Sequence, residues 1–346
     1  MKSFILMSLT LLLFACGGQS PEAYVTSQDA GVSVINLDTG EVTDQIDVQA
    51  EGPRGIGVTS DGRYIVTANK SNSTISVIDR KSHKLLNQIE VGKNPEFVRV
   101  YQDYVFVSTE PASSGKPPAD NGHEEDDDDG DKEPAKIAVV DLRTGSKIRE
   151  IEGGPETEGI EFSNDGKQVI VTNEADNTVT VHNFESGELL KKIDMTPYGN
   201  RPRGIKASPD GNNYVATLEH SNNFVVLDKD FNHIKTVPVG INPYGVAFNK
   251  SGSKLFVSVS KSKALEVYDT KNYEKENSIA LSGNRCWHFT FTPDDKKIIM
   301  ACGRSDELLV LDTETQSVEK SIPVKGIPWG IVTYPKSIGS LDDTRN

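Results

Sequence analysis

PRGIGVTSDGRYIVTANKSNSTISVIDRKSHKLLNQIEV, residues 53–91, alternates short segments rich in β-branched residues with turns rich in glycine, asparagine and aspartate. Residues 55–59, 64–69, 74–79 and 85–91 are predicted strands, and residues 60–63 form the first turn. Glycine, asparagine and aspartate adopt the positive φ angles that tight hairpins require. Four short antiparallel strands joined in this way are typical of one blade of a β-propeller.

The same pattern returns along the chain, and a three-residue marker begins each period. The markers are Pro53-Arg54-Gly55, Pro95-Glu96-Phe97, Thr157-Glu158-Gly159, Pro202-Arg203-Gly204, Pro243-Tyr244-Gly245, Cys286-Trp287-His288 and Pro328-Trp329-Gly330. Their third members are separated by 42, 62, 45, 41, 43 and 42 residues, and an insertion of about 20 residues explains the longest spacing. Seven markers predict seven blades.

The two ends of the chain complement each other. Residues 23–27 look like the second strand of a blade that lacks its first strand, and residues 330–335 supply a first strand at the other end. We therefore predict an all-β, seven-bladed propeller over residues 23–335, with four antiparallel strands per blade and a closing blade built from both termini. Such closure leaves no open sheet edge. Residues 336–346 are predicted to be a flexible tail.

The first 16 residues have the character of a targeting segment. Lys2 precedes an apolar run from Phe4 to Phe14, which is too short to span a bilayer permanently. The run ends in Leu13-Phe14-Ala15-Cys16, which resembles a bacterial lipobox with Cys16 as the lipidated residue. We predict a lipoprotein signal peptide over residues 1–16, a tether over residues 17–22, and a membrane-anchored protein on the periplasmic side of the outer membrane or at the cell surface.

The charge of the chain bears on its partners. Its formal net charge is −14, which argues against binding to nucleic-acid phosphates and favours cationic ligands or basic proteins. Residues 111–135 interrupt the repeat with an acidic run that lacks apolar anchors, so we predict a disordered insertion. No cofactor is predicted with certainty; the insertion offers a weak site for a divalent cation or a basic partner.

The repeat resembles a known family. Val25-Thr26-Ser27, Val66-Thr67-Ala68-Asn69 and Val171-Thr172-Asn173 are similar to the YVTN signature of YVTN-type propeller repeats. The terminal Ile327-Pro328-Trp329-Gly330 and the earlier Arg201-Pro202-Arg203-Gly204 also resemble propeller lipoproteins associated with quinone-dependent alcohol catabolism. The resemblance implies an exported protein that serves a periplasmic redox or catabolic system.

Repeat phase predicts which side chains face the central channel. The middle residue of each marker and the loop between the second and third strands of each blade lie on one face, which we call the upper mouth. The predicted ligand-binding residues there are Arg54, Glu96, Glu158, Arg203, Tyr244, Trp287, Trp329, Glu110, Glu174, Glu219, His220 and His288. An aromatic sector opposite a charged sector suits a flat, partly polar ligand or a cation.

Cys286 and Cys302 flank a predicted hairpin whose turn is Pro293-Asp294-Asp295-Lys296. Counting back from that turn places them nearly opposite each other, so they form either a disulfide, as an oxidising compartment permits, or a pair of small buried apolar residues. The sequence has no Cys-x-x-Cys-His segment for covalent haem, no Gly-x-Ser-x-Gly segment and no phosphate-binding glycine loop. No catalytic residue is predicted.

These observations favour a non-catalytic lipoprotein that binds a small ligand, a metal ion or a periplasmic or surface protein at the upper mouth. One alternative is an enzyme, a lactone hydrolase or lyase that uses the same mouth, with an acid–base pair among Glu219, His220 and His288. Another alternative is a scaffold for protein assembly. The fold alone does not decide among them.

Overall fold

The computed structural model describes residues 20–111 and 134–337. Within these ranges the chain forms seven four-stranded antiparallel sheets, which confirms the predicted seven-bladed propeller. Cys16 and the signal peptide, most of the acidic insertion and most of the C-terminal tail lie outside the described residues, so the predictions made for them stay predictions.

The described strands are numbered along the chain. Blades one to three contain β1 (Glu22–Ser27), β2 (Gly31–Asn36), β3 (Glu41–Ile46), β4 (Pro53–Val58), β5 (Tyr64–Asn69), β6 (Thr74–Asp79), β7 (Lys84–Glu90), β8 (Pro95–Tyr101), β9 (Tyr104–Thr109), β10 (Lys136–Asp141) and β11 (Ser146–Glu152). Blades four and five contain β12 (Thr157–Phe162), β13 (Gln168–Asn173), β14 (Thr178–Asn183), β15 (Leu189–Asp194), β16 (Pro202–Ala207), β17 (Asn213–Leu218), β18 (Asn223–Asp228) and β19 (His233–Pro238). Blades six and seven contain β20 (Pro243–Phe248), β21 (Lys254–Val259), β22 (Ala264–Asp269), β23 (Lys275–Ala280), β24 (Cys286–Phe291), β25 (Lys297–Cys302), β26 (Glu307–Asp312) and β27 (Ser317–Pro323). Strand β28 (Pro328–Tyr334) completes the first blade, and 3₁₀ turns occur at Lys70–Asn72, Glu219–Ser221 and Gly303–Ser305.

The first blade closes the ring as predicted. Its strand order is β28-β1-β2-β3, so the C-terminal strand occupies the innermost position beside the N-terminal strand. The two strands are antiparallel, with Glu22 opposite Tyr334 and Ala23 opposite Thr333. Hydrogen bonds between the two ends of the chain therefore hold the ring together.

Three predicted boundaries shift by a few residues. Strand β1 begins at Glu22, within the predicted tether. Ala135, predicted to end the disordered insertion, is fully buried, and its N–H donates to the carbonyl of Gly154 at 3.0 Å. Ser337, predicted to be in the flexible tail, is 1% exposed. In each case pairing or burial extends the blade beyond the run of strand-forming residues.

The blades pack face to face, and this arrangement determines which strands are buried. Five of the six residues of the second strand β21 are buried, whereas all but one residue of the outermost strand β15 are exposed. Between blades six and seven, for example, Phe256 meets Phe291 edge to face with ring centroids 5.3 Å apart. No helix in the described ranges is long and apolar enough to cross a membrane.

A hydroxyl group on the second strand joins neighbouring blades. Thr217 accepts the N–H of Gly204 at 3.0 Å and donates to the carbonyl of Tyr244 in the next blade at 2.8 Å. Ser258 repeats this arrangement with Gly245 at 2.8 Å and with the carbonyl of Trp287 at 2.9 Å. These two residues are equivalent to Thr172 of the YVTN-like segment Val171-Thr172-Asn173, which contacts Gly159 and Arg203 in the same way. In these blades the hydroxyl therefore fixes the backbone of the residue that faces the channel.

Replacing Thr217 with valine tests this inter-blade contact. Valine keeps the shape of threonine but leaves the partly buried N–H of Gly204 and the buried carbonyl of Tyr244 without their shared partner, so we expect the free energy of unfolding to fall by about 1–3 kcal/mol. Urea unfolding followed by circular dichroism measures the change. The same substitution at the exposed Thr43 is the control, and an equal effect at both positions would contradict the assignment.

Candidate functional site

A β-bulge in each innermost strand turns the middle residue of the marker toward the channel. In β4, the register against β5 shifts between Pro53 and Ile56, and the corresponding strands β8, β12, β16, β20 and β24 shift at the equivalent place. Bulges of this kind redirect side chains and are common beside functional sites. They account for the convergence of the marker residues on the axis of the ring.

One half of the upper mouth is a buried network of ion pairs. Arg54 pairs with Glu96. The NH1 atom of Arg203 lies 2.5 Å from Oε1 of Glu174, and its Nε atom lies 2.5 Å from Oε2 of Glu219. These two arginines come from blades two and five, and their carboxylate partners come from blades three, four and five. Each carboxylate is at most 4% exposed. The charges predicted at the mouth therefore lie close together, but they mostly neutralise one another.

Aromatic side chains form the other half of the mouth. The rings of Tyr244 and Trp287 stack with their centroids 4.6 Å apart, and the ring centroids of His288 and Trp329 are 4.1 Å apart. The Tyr244 hydroxyl donates a hydrogen bond to Glu158, which connects the aromatic half to the charged half. A second connection runs through Arg203, whose guanidinium carbon lies 4.9 Å from the Tyr244 ring centroid.

Two bulky side chains fill the channel where most blades have glycine. Five markers end in glycine, and a Cβ at Gly245 would stand 2.5 Å from the carbonyl oxygen of Trp287 in the next blade. The remaining two markers end in Phe97 and His288, whose rings lie 6.1 Å apart across the channel. The mouth is therefore largely closed, and the predicted ligand-binding residues there contact one another.

Burial shifts the pKa values of several carboxyl groups at the mouth. Burial raises the pKa of Glu158 above the usual range, and the charge of Arg203 offsets only part of this effect. Burial, reinforced by the charges of Glu96 and Glu158, raises the pKa of Glu110 well above the usual range. Burial also raises the pKa of Glu174. The site therefore holds carboxyl groups that are stronger bases than an exposed glutamate.

His288 is held neutral. Burial lowers its pKa to about 3, and the positive charges of Arg203, Arg285 and Arg54 act in the same direction, against Glu96. Its Nε2 atom is buried without a hydrogen-bond partner among the described residues, as is Oε2 of Glu158. Both side chains line one narrow cavity together with Phe97, Arg203 and Tyr244, and the cavity is wide enough for about one water.

Repeat-phase reasoning missed the residue just before each marker. Arg201 and Arg285 occupy this position with φ angles of 61° and 56°, and the equivalent residues in all seven blades also have positive φ. Arg201 lies 3.0 Å from Glu174, and the guanidinium carbon of Arg285 lies 3.9 Å from the Trp287 ring centroid. A left-handed backbone at an arginine is unusual. An arginine one residue before a marker was therefore the signal in the sequence that could have identified these two residues.

The predicted residues Glu219 and His220 differ in burial. His220 lies in the 3₁₀ turn after β17 and is exposed, whereas its neighbour Glu219 is 1% exposed. The charge of His220 helps to lower the pKa of Glu219, after the larger contributions of Arg203 and Arg201, so an acid–base pair among Glu219, His220 and His288 stays a prediction. Within residues 20–111 and 134–337, no group of three or more histidine, cysteine, aspartate or glutamate side chains is arranged to hold a metal ion.

Cys286 and Cys302 are joined by a disulfide. They lie opposite each other on β24 and β25, with Cα atoms 4.0 Å apart. Cys286 is the first residue of the marker that also contains Trp287 and His288, so the bond anchors the strand that supplies these two aromatic residues.

Replacing both cysteines with alanine is expected to lower the free energy of unfolding by about 3 kcal/mol, the value for closing a loop of this length. The sequence separation of the two cysteines is 16 residues. Chemical unfolding of the oxidised wild type and of the double variant measures the difference. A reducing agent should destabilise the wild type and leave the variant unchanged; equal sensitivity of both proteins would contradict a structural role for the bond.

Two family models match parts of the chain. A YNCE-like beta-propeller model matches residues 14–104, and a model described as lactonase, 7-bladed beta-propeller, matches residues 135–235. Each covers less than half of the chain, so together they support a β-propeller without assigning the family. No curated protein matches the chain.

Many solved structures share this fold. A Pseudomonas aeruginosa periplasmic gluconolactonase, PpgL, superimposes with a TM-score of 0.71 at 18% identity, covering 90% of this chain and 98% of that one. A candidate 6-phosphogluconolactonase from Bacteroides uniformis gives 0.73 at 17% identity, covering 91% and 100%. Kuenenia stuttgartiensis hydrazine synthase gives 0.68 at 16% identity, covering 83% and 91%. At these identities the likeness shows the fold.

The non-catalytic function favoured by the sequence is wrong. The partial match to the lactonase model favours instead the alternative, a lactone hydrolase. The internally neutralised mouth also argues against a cationic ligand, because the carboxylates expected to attract one already pair with arginines of the same ring.

Proposed function

We propose that this protein hydrolyses lactones at the upper mouth, with Glu158 as the general base. The observation that carries the proposal is the cavity where Oε2 of Glu158 and Nε2 of His288 lack other partners among the described residues. A water held between these two atoms would be placed to attack a carbonyl group. The partial match to the lactonase model and the likeness to gluconolactonases support the reaction class.

The chemistry needs a base, a positive charge and a way to release the ring oxygen. Glu158 takes a proton from the water, and the water oxygen forms a bond to the lactone carbonyl carbon. Arg203, which lines the same cavity with its NH1 3.6 Å from Glu158, stabilises the negative charge on the carbonyl oxygen. The ring C–O bond then breaks, and the protonated Glu158 returns its proton to the leaving oxygen.

His288 and Tyr244 position the reacting groups. His288 is neutral at physiological pH because of its low pKa, so its Nε2 atom can hold a water without adding charge beside Arg203. The Tyr244 hydroxyl fixes one oxygen of Glu158 by a hydrogen bond and leaves the other directed into the cavity. A lactone ring is larger than this cavity, so its entry requires displacement of the half-buried Phe97 side chain.

Proton release from δ-lactones of sugar acids tests the proposal. The purified protein is incubated with each lactone in a pH-stat, and the rate is compared with spontaneous hydrolysis. We expect a saturable rate that exceeds the background and depends on protein concentration. A rate equal to the background for every lactone, from protein shown to be folded by circular dichroism, would contradict the proposed function.

A further inference from the structure

A second cavity, also wide enough for about one water, lies at the upper mouth between the seventh blade and the closing blade. Gln28 and Trp329 contribute from the closing blade, and Arg285, Trp287 and His288 contribute from the seventh. His288 also lines the cavity that contains Glu158, so the two cavities are neighbours. The proposed reaction makes no use of Gln28, Arg285 or Trp329.

Three buried N–H donors of this cavity lack acceptors among the described residues: Nε2 of Gln28, Nε of Arg285 and Nε1 of Trp329. Buried polar groups are nearly always hydrogen-bonded, so three orphaned donors on one cavity call for a ligand that accepts. Trp329 is only 4% exposed, which removes bulk solvent as a general partner for its indole N–H.

The orientation of the Gln28 amide is fixed by its neighbour. Nε of Arg54 donates to Oε1 of Gln28 at 3.2 Å. Because a guanidinium group can only donate, the amide oxygen must face Arg54 and the amide N–H₂ must face away from it. The amide therefore presents donors, rather than an acceptor, to the cavity.

The cavity also carries a positive charge that forms no ion pair with the described residues. No carboxylate of the described residues forms an ion pair with Arg285, whereas Arg54 pairs with Glu96 and Arg203 with Glu174 and Glu219. Burial lowers the pKa of Arg285 to about 10, and the positive charges of Arg54 and Arg304 act in the same direction, against Tyr244 and Glu96. A bound negative charge would relieve this repulsion, and nothing in this set of donors would repel it.

We propose that this cavity binds a small oxyanion through the N–H groups of Arg285, Gln28 and Trp329. The oxyanion is either the carboxylate of an organic acid, with its carbon chain against the partly exposed Trp287 ring, or a free inorganic anion. Either group is larger than one water, so its entry requires displacement of the Trp287 side chain. An oxyanion is recognised by hydrogen-bond donors, above all by a planar guanidinium group, and the aromatic side chains of the cavity can pack against its carbon chain. The site does not depend on the proposed lactone hydrolysis, because an anion can bind whether or not a lactone is cleaved.

Tryptophan fluorescence reports directly on this cavity. Trp287 and Trp329, the two tryptophans of the sequence, both line it. Sodium gluconate, sodium acetate and sodium sulfate are titrated separately into the full chain in a low-salt zwitterionic buffer. We expect a saturable change in emission. Tighter binding of gluconate than of acetate and sulfate identifies an organic acid as the ligand, whereas equal binding of sulfate identifies a free oxyanion; both outcomes support the site.

Variants separate this cavity from non-specific anion effects. Arg285→Gln should raise the dissociation constant at least about tenfold, because a charge-assisted hydrogen bond is lost. Trp329→Phe keeps an aromatic side chain but loses the indole N–H, so it should weaken binding roughly fivefold. Trp287 then remains as the fluorescent reporter. Arg63→Gln, at an arginine whose side chain is 59% exposed in the turn after β4, makes the same charge change and should bind like the wild type.

Two results would overturn the proposal: no saturable change with any of the three anions, or unchanged binding in folded Arg285→Gln protein. If Arg285→Gln does not fold, Gln28→Glu serves instead, because it places a carboxylate among the donors and should abolish anion binding. Lactone hydrolysis is measured on the same samples. Anion binding without hydrolysis removes the proposed function alone, and hydrolysis without anion binding removes this inference alone.

Discussion

Replacing Glu158 with glutamine is expected to lower kcat/KM for lactone hydrolysis by about 100- to 10,000-fold, the usual contribution of a general base. Glutamine has nearly the same shape and can still accept the hydrogen bond from Tyr244, so the fold should survive. The side chain can no longer take a proton from water. Steady-state proton release from the wild type and from Glu158→Gln protein measures the loss.

The pH dependence of the wild type provides a second readout of the same residue. Burial raises the pKa of Glu158 above the usual range, and only the ionised form is a base. The rate should therefore fall as the pH is lowered through a value above about 4.3, the ordinary glutamate pKa. The exposed Glu185→Gln is the matched control and should keep the wild-type profile. Full activity in folded Glu158→Gln protein would remove Glu158 from the mechanism.

Replacing Arg203 with methionine is expected to destabilise the fold by about 3–5 kcal/mol at neutral pH, because buried carboxylates lose their compensating charge. Arg203 lies 2.5 Å from Glu174 and from Glu219, and both of these carboxylates are nearly inaccessible to solvent. Methionine retains much of the apolar stem, so the loss of charge dominates. Urea unfolding at pH 7 measures the change, and Arg143→Met, at an arginine 55% exposed, should cost about 1 kcal/mol or less.

The sign of the pH effect distinguishes this cause from lost packing. Burial alone would raise the pKa of Glu219, but the charges of Arg203 and Arg201 lower it below the usual range in the folded protein. In the wild type this pairing stabilises the fold above the unfolded-state pKa and is lost as the pH falls through the folded-state pKa. The difference in stability between wild type and Arg203→Met should therefore shrink as the pH is lowered. A difference that does not change with pH would indicate lost packing instead.

The sequence predicted the architecture because the repeat carries it at several levels. Marker spacing, turn residues and the complementary ends all indicated seven blades, and the pairing of β28 with β1 confirms the closure. Tyr244, Trp287 and Glu158 were also placed near one another by repeat phase alone. Equivalent positions around an axis must converge, so the approximate location of the site needed no knowledge of side-chain conformation.

The interior of the mouth was less predictable. Whether Phe97 and His288 meet across the channel depends on their side-chain conformations, which the repeat pattern does not determine. The roles of Arg201 and Arg285 depend on a left-handed backbone that an arginine seldom adopts. The pairing of Arg203 with two carboxylates depends on burial, which also converts apparent binding residues into a self-neutralised network.

The location of the reaction is tested most directly by soaking crystals of the protein with a δ-lactam and solving the structure. In a lactam, N–H replaces the ring oxygen of a lactone. We predict that the lactam displaces Phe97 and places its carbonyl carbon near Oε2 of Glu158, with its carbonyl oxygen toward Arg203. A lactam bound at the opposite face of the ring, or on the outer strands with the Glu158 cavity unchanged, would contradict the account.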